Sequence, residues 1–194
     1  MAIGKKIGLY FGTFNPIHLG HVGIANYMVN FTQLDEVWLV VSPHNPFKIK
    51  DDLLNDYARL EMARLAIEGM DNIKVTDIEF SLSRPSYTSH TLIDLRGKYS
   101  DHHFSLIIGR DNLNTFHKWK DYQSILSHHD LYVYPRLNSS KDDLDDHYKV
   151  HLVDAPIIDI SSSLVRQKIQ NRKDVCSMLP KSVWKYIEKM KYYM

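Results

Sequence analysis

The sequence predicts an α/β fold, a doubly wound parallel sheet with helices on both faces, built as a single domain over residues 1–194. Three observations carry that expectation. Residues 7–11, 36–41 and 104–108 are short, densely apolar runs that suit parallel strands buried between two layers. Between such runs stand segments whose apolar residues keep helical spacing, and strands alternating with helices imply a parallel sheet. The length, with 44% hydrophobic and 24% charged residues, matches one globular unit with a substantial core.

The elements follow in order. Residues 7–27, IGLYFGTFNPIHLGHVGIANY, read as strand, glycine turn, short loop and helix. Gly12 permits a sharp turn, and Pro16 delays the helix, which ends near Asn30. Glu36–Val41 is the second strand, followed by a loop with two prolines. Asn55 or Asp56 caps a helix in which Leu60, Ala63, Ala66 and Ile67 keep their spacing, and Gly69 stops it. A third strand starts at Ile73, Lys74 and Val75 and takes in Ile78 and Phe80. Ser86 or Thr88 caps a helix to Arg96 and Gly97. The fourth strand, 104–108, runs into Gly109-Arg110-Asp111. A helix over 120–128 precedes the fifth strand, Leu131–Tyr134. Residues 138–146 are polar and acidic and read as a solvated excursion; they lack the ligand pattern and central glycine of an EF-hand. Residues 149–153 form a sixth short strand, 162–171 a helix, and Pro180 opens the last helix. The helical C-terminal part, about 161–194, is expected to pack on the same core.

Composition narrows the function classes. A net charge of +1 argues against a dedicated nucleic-acid binder. Cys176 is alone, so no intramolecular disulfide forms, and a cytoplasmic location is expected. No apolar run approaches membrane-spanning length, and none resembles a signal peptide.

In a parallel sheet, ligands bind beyond the carboxyl ends of the strands, which directs attention to loops 12–21, 42–52, 81–90, 109–119 and 154–166. In the first, His18 and His21 stand three apart where the helix begins, so both rings can lie on one side of its first turn. Free N–H groups and the positive dipole end point the same way, a natural phosphate site, and imidazoles add donors that become cationic near neutral pH. With eleven histidines in the chain, such a pair is by itself more often structural. A zinc site would need a third ligand, and H-E-x-x-H is absent. In the last loop, Ile160-Ser161-Ser162-Ser163-Leu164-Val165-Arg166 places a serine cap, spare hydroxyls and N–H groups, and a guanidinium one turn on from Ser162. Alone, this is an ordinary cap with a surface arginine.

Together the two stretches resemble a known superfamily. Gly12-Thr13-Phe14-Asn15-Pro16-Ile17-His18-Leu19-Gly20-His21 is similar to the G-x-F-x-P-x-H-x-G-H signature of adenylyl- and cytidylyltransferases, and Ile160 to Arg166 to their I-S-S-[ST]-x-x-R motif, about 140 residues on. Arg84-Pro85-Ser86-Tyr87-Thr88, and Gly109-Arg110-Asp111 with Phe116 and Trp119, resemble the bacterial nicotinate-nucleotide adenylyltransferase family, with Rossmann-like architecture. The likeness spans nearly the whole chain.

That resemblance implies transfer of AMP from ATP to nicotinate mononucleotide, giving deamido-NAD and pyrophosphate. It implies His18, His21, Lys48 and Arg166 as catalytic charges and donors, and Gly12, Thr13, Phe14, Gly109, Asp111, Ile160, Ser161 and Ser162 on the ATP side. Asn15, Lys48, Tyr87, Thr88, Trp119 and Arg136 are implied for the pyridine mononucleotide, with Thr88 at the carboxylate and Trp119 stacked on the ring. Mg²⁺ would bridge the phosphates without direct protein ligands. The implied partners are those two small molecules, with no nucleic acid and no membrane, and a homo-oligomer stays open. One departure stands out: Phe47 takes the place of a family histidine in P-x-x-P-H-[KR], while Lys48 keeps the cation.

Three other readings compete with this one. A sister enzyme would act on nicotinamide mononucleotide or phosphopantetheine. A nucleotide-sensing module would bind without turnover. A fragment of an aminoacyl-tRNA synthetase shares H-x-G-H but should carry a K-M-S-K-S-like loop, which is absent.

Overall fold

The structure, a computed structural model, describes residues 4–43, 53–137 and 139–194. Its centre is a six-stranded parallel sheet of β1 (Lys6–Gly12), β2 (Glu36–Val41), β3 (Ile73–Thr76), β4 (His103–Gly109), β5 (Leu131–Tyr134) and β6 (Val150–Leu152). The spatial order is β3-β2-β1-β4-β5-β6, each neighbour parallel. From β1 the chain first winds outward through β2 and β3, then returns to β4 on the other side of β1. Strand order therefore reverses between β1 and β4, which is where open α/β sheets leave a crevice for ligands.

The helices are α1 (Leu19–Phe31), α2 (Asp56–Ala66), α3 (Thr88–Lys98), the short α4 (Arg110–Leu113), α5 (Tyr122–His128), α6 (Ser162–Gln170) and α7 (Lys181–Met190). Successive strand residues face opposite layers. Tyr10, Leu39 and Val41 join Val22, Ala25 and Met28 of α1, Leu60 and Ala63 of α2, and Val165, Val183 and Ile187 of the C-terminal helices. Leu9, Trp38 and Leu106 join Leu92 and Leu95 of α3 and Ile125 and Leu126 of α5 on the other face. The expected two-sided burial is thus met, and residues after 161 pack on the first of these layers.

The expected strands and principal helices all form, with four local differences. Ile78 and Phe80 are not strand: Ile78–Ser81 winds into a 3₁₀ turn after Thr76, the Phe80 N–H bonding Asp77 O at 2.8 Å. Neither Ser86 nor Thr88 caps α3. Tyr87 holds the cap position with extended backbone, and the Ser86 hydroxyl instead donates to buried Glu79 Oε2 at 3.2 Å. The helix expected from 120 begins at Tyr122. The acidic segment after 138 is not simply solvated. Arg110 pairs with Asp145 and donates through Nε to Ser140 O at 3.0 Å, while Asn114 Nδ2 donates to Asp142 Oδ2 at 3.1 Å. A cation and an amide from the turn after β4 tie down Asp145 and Asp142, contacts that local polarity does not reveal.

Candidate active site

A cavity of about 230 Å³ opens at the carboxyl ends of β1, β4 and β5, lined by Tyr10, His18, Gly20, His21, Asp111, Tyr134, Arg136 and residues 156–160. It lies at the reversal of strand order. His18 and His21 of the first constellation line it; of the second only Ile160 does, while Ser162 and Arg166 reach the loop before α1.

His18 occupies the cap position of α1 with an extended backbone, and its N–H donates to His21 Nδ1 at 3.2 Å. Because that nitrogen accepts, the proton of neutral His21 sits on Nε2. The two rings stack at 3.6 Å between centroids and 24° between planes. Phe14 meets His21 edge-on at 5.1 Å. Phe14 is itself buried, with φ 47, a backbone region that costs a bulky residue free energy and marks a built turn. Its side chain therefore faces His21 from the core and does not line the cavity. A Cβ on Gly12 would stand 2.8 Å from the Phe14 ring, so the glycine is what lets that ring in.

His18 departs from expectation. It is 3% exposed, and burial first, then the charge of Arg136, push its pKa down to about 3. In this state it is neutral at pH 7, not cationic. Its Nδ1 is buried without a partner among the described residues, an orphaned polar atom in a residue that lines the cavity. The linkage sign follows directly. The unfolded chain takes up the proton near pH 6.5 and the folded chain only near 3, so stability is complete above about 6.5 and lost as pH falls toward 3. Buried His129, also shifted down by burial, adds to this. We expect the Tm of His18→Gln to fall less between pH 7 and pH 5 than that of the native chain; equal falls would remove His18 from this account.

The opposite wall carries a cation. Arg136 Nη2 donates to the Tyr134 hydroxyl at 3.2 Å, that hydroxyl lies 3.1 Å from the Tyr10 hydroxyl, and Arg136 Nε is 3.8 Å from Asp111 Oδ1. Burial opposes its charge, but Tyr134, Tyr10 and Asp111 outweigh burial and raise its pKa further. A Cβ on Gly109 would lie 2.4 Å from Asp111 Oδ1 and 3.2 Å from Arg136 Nε. Gly109→Ala should therefore displace both side chains with little effect on Tm, and raise the KM for ATP about tenfold, the loss of one charge-assisted contact. An unchanged KM would show that this wall does not meet the nucleotide.

The second constellation closes the first. Ser161 caps α6, its Oγ accepting from Leu164 N–H at 3.1 Å. Ser162 Oγ donates to Pro16 O at 2.9 Å and Arg166 Nη1 to Asn15 O at 2.9 Å. The start of α6 is thereby fastened to the loop before α1, and Ile160 lines the cavity. Leu19 N–H is used by Met178 O, whereas Gly20 N–H in the cavity wall has no partner among the described residues. The start of α1 thus presents an N–H group that suits an anion, with the start of α6 fastened beside it.

The residues expected around a pyridine ring form a separate group. Tyr87 precedes α3 and Thr88 is its first residue, half-buried. Trp119 packs on Phe116 at 5.3 Å, and its neighbour Lys120 places Nζ 4.6 Å from the Tyr87 ring centroid and 3.1 Å from His90 Nε2. Those contacts bring residues 87–90 and 119–120 together. Arg136 is not among them: it stands with the histidines. Asn15 is 3% exposed, and its Oδ1 accepts from Leu54 N–H at 3.3 Å and the Tyr193 hydroxyl at 2.6 Å, so that oxygen serves the loop itself. Thr13 offers its carbonyl to Arg59. Lys48, His44 and Phe47 lie outside the described residues.

Two residues escaped the sequence reading. Glu79, 2% exposed, accepts from Ser86 Oγ at 3.2 Å and Thr91 Oγ1 at 2.7 Å and so fixes the loop before Thr88. Arg59 is wholly buried and bonded to Thr13 O in the loop after β1. A signal for it existed: Arg59 shares a helical face with Ala63 and Ala66, an arginine on an apolar stripe.

Comparison with known proteins follows the same lines. Residues 9–168 match the cytidylyltransferase-like family. A probable nicotinate-nucleotide adenylyltransferase of Flavobacterium psychrophilum is 53% identical over 97% of this chain and 98% of its own length. One from Flavobacterium johnsoniae is 52% identical over the same shares. Among solved structures, Plasmodium falciparum nicotinic acid mononucleotide adenylyltransferase complexed with NaAD superposes with a TM-score of 0.80 at 20% identity, covering 97% of each chain; at that identity the likeness concerns the fold.

Proposed function

The chain belongs to the nicotinate-nucleotide adenylyltransferases of the cytidylyltransferase-like family, and from that premise we propose how residues 1–194, as one nucleotidyltransferase domain, transfer AMP from ATP to nicotinate mononucleotide. A phosphate oxygen of the mononucleotide attacks the α-phosphorus of ATP. The bond from that phosphorus to the β-bridging oxygen breaks, pyrophosphate leaves, and deamido-NAD is formed. The attacking phosphate is largely dianionic at pH 7, its second pKa being about 6, so no protein base is required. No covalent enzyme intermediate forms.

Catalysis on this reading is positioning plus charge stabilisation. His21 Nε2–H donates to the phosphates as charge moves onto the leaving pyrophosphate, and His18 beside it holds that ring in place. Arg166, Ser162 and the N–H groups at the starts of α1 and α6 hold the triphosphate; Lys48 adds a cation. Arg136 and Asp111 face the nucleotide from the other wall. Tyr87, Thr88 and Trp119 receive the pyridine carboxylate and ring, since a helix start suits an anion and an indole face suits an electron-poor ring. Mg²⁺ enters as part of the ATP substrate. Among the described residues no cluster of three or more His, Cys, Asp or Glu gathers to hold a metal, and the cavity offers Asp111 and Asp159, a donor set that fits a cation liganded mainly by phosphate oxygens. Among the same residues no helix is long and apolar enough to cross a membrane.

The observation that supports the reading is the bonding of Ser162 and Arg166 to the carbonyls of Pro16 and Asn15, which fastens two distant motifs to each other. The test is the rate of product formation from MgATP with nicotinate and with nicotinamide mononucleotide. A site built around a carboxylate should favour the acid by at least about 10²-fold in kcat/KM, because the amide leaves the anion's partners unpaired. Equal rates would refute the acceptor assignment.

A further inference from the structure

Arg59 is the largest fully buried side chain among the described residues. A buried cation persists only where its N–H groups find acceptors, and here they do. Nε donates to Leu54 O at 2.9 Å, Nη1 to Ser42 O at 2.8 Å and to Thr13 O, and Nη2 to Pro43 O at 3.4 Å and Asp56 Oδ1 at 2.6 Å. Thr13 follows β1, while Ser42 and Pro43 follow β2. One guanidinium therefore grips the loops leaving two adjacent strands. In a trans peptide the N–H points opposite to the C=O, so fastening Thr13 O inward turns the Phe14 N–H away from the guanidinium. That N–H has no partner among the described residues.

Asp56 carries the contact outward. Its second oxygen, Oδ2, accepts from Arg84 Nη2 at 2.7 Å. Arg84 has a 57% exposed side chain and begins the loop that leads to Tyr87 and Thr88. Neither Asp56 nor Arg59 lines the phosphate cavity. We propose that Asp56 is a positioning residue: the series Arg84–Asp56–Arg59–Thr13 is a strut joining the mononucleotide half of the site to the phosphate half, so that filling either half favours filling the other. The inference rests on the reading of Thr88 and Trp119 as the mononucleotide half. The physical basis is that one carboxylate shared between two guanidiniums on different segments fixes both at once. Ordering the 84–88 loop holds Asp56, Asp56 holds Arg59, and Arg59 holds the peptide before Phe14 and, through it, the ring against which His21 rests. Coupling of this kind is reciprocal in the two binding constants.

The test measures Kd for an α,β-methylene ATP analogue with Mg²⁺, without and with saturating nicotinate mononucleotide, in the native chain, Arg84→Met and Asp56→Asn. The native chain should bind the analogue about fivefold more tightly when the mononucleotide is present, the scale set by a half-exposed ion pair. In both variants the ratio should fall to about one. Arg84→Met changes an exposed side chain and keeps the test independent of any effect of Asp56→Asn on folding. A native ratio of one, equal ratios in all three proteins, or loss in one variant only would overturn the strut, the last because Arg84 or Asp56 would then act alone. Native turnover with nicotinate mononucleotide is measured alongside: its absence overturns the function, whereas turnover with unaltered coupling overturns only the strut.

Discussion

His21→Ala lowers kcat by about 10²–10³ and leaves the Kd for ATP within about threefold, the pattern expected when one preorganised donor to a developing charge is removed. The reason lies in how the imidazole is held. Its Nδ1 accepts from the His18 N–H, the His18 ring stacks on it and Phe14 stands perpendicular to it, so the imidazole is held against turning. Alanine removes that donor and leaves the other phosphate contacts proposed for Arg166, Arg136 and the helix N-termini, which bind ground state and transition state alike. Single-turnover kinetics with a separate ATP titration reads both quantities. A kcat equal to that of the native chain would remove His21 from the chemistry.

Arg59→Leu should be the most costly substitution for stability, about 3–5 kcal/mol, because it strips one buried donor group from five acceptors at once, most of them partly buried. Leucine approximates the aliphatic stem, so little of the loss would be cavity formation. It would come from the Leu54, Thr13, Ser42 and Pro43 carbonyls left without their donor and from Asp56 left without its buried partner. Burial works against the Arg59 charge and Asp56 works for it, which is why the pair must be lost or kept together. Urea denaturation reads the effect; a loss below about 1 kcal/mol would mean that water replaces the guanidinium.

The fold was readable because its determinants are local. Strands buried on both faces need unbroken apolar runs, helices need a stripe, and turns need Gly12 or Pro180; each of these is a short-range pattern. The pairing of the two phosphate motifs was readable for a different reason, their likeness to a superfamily signature. The 3₁₀ turn at Ile78–Ser81 and the start of α5 at Tyr122 are local departures, whereas the other misses depend on neighbours outside the stretch being read. Ser86 looked like a cap because it precedes a helix, but Glu79, folded underneath, takes its hydroxyl. His18 looked titratable near pH 7 because nothing in its sequence says that it is 3% exposed beside Arg136. Arg136, which the resemblance implies for the mononucleotide, is held on the wall opposite the histidines by Tyr134, Tyr10 and Asp111, contacts that its own stretch of sequence does not show. Arg59 left a trace in helical spacing, and only its five acceptors explain that trace.

The central claim is direct transfer at this crevice to one acceptor, and isotope exchange between labelled pyrophosphate and ATP tests it most directly. With MgATP and the protein, label should enter ATP only when nicotinate mononucleotide is also present, because pyrophosphate is released in the same step that joins AMP to the acceptor. Label entering ATP without the mononucleotide would show an adenylylated enzyme, and no exchange even with it would show that this chain does not catalyse the transfer.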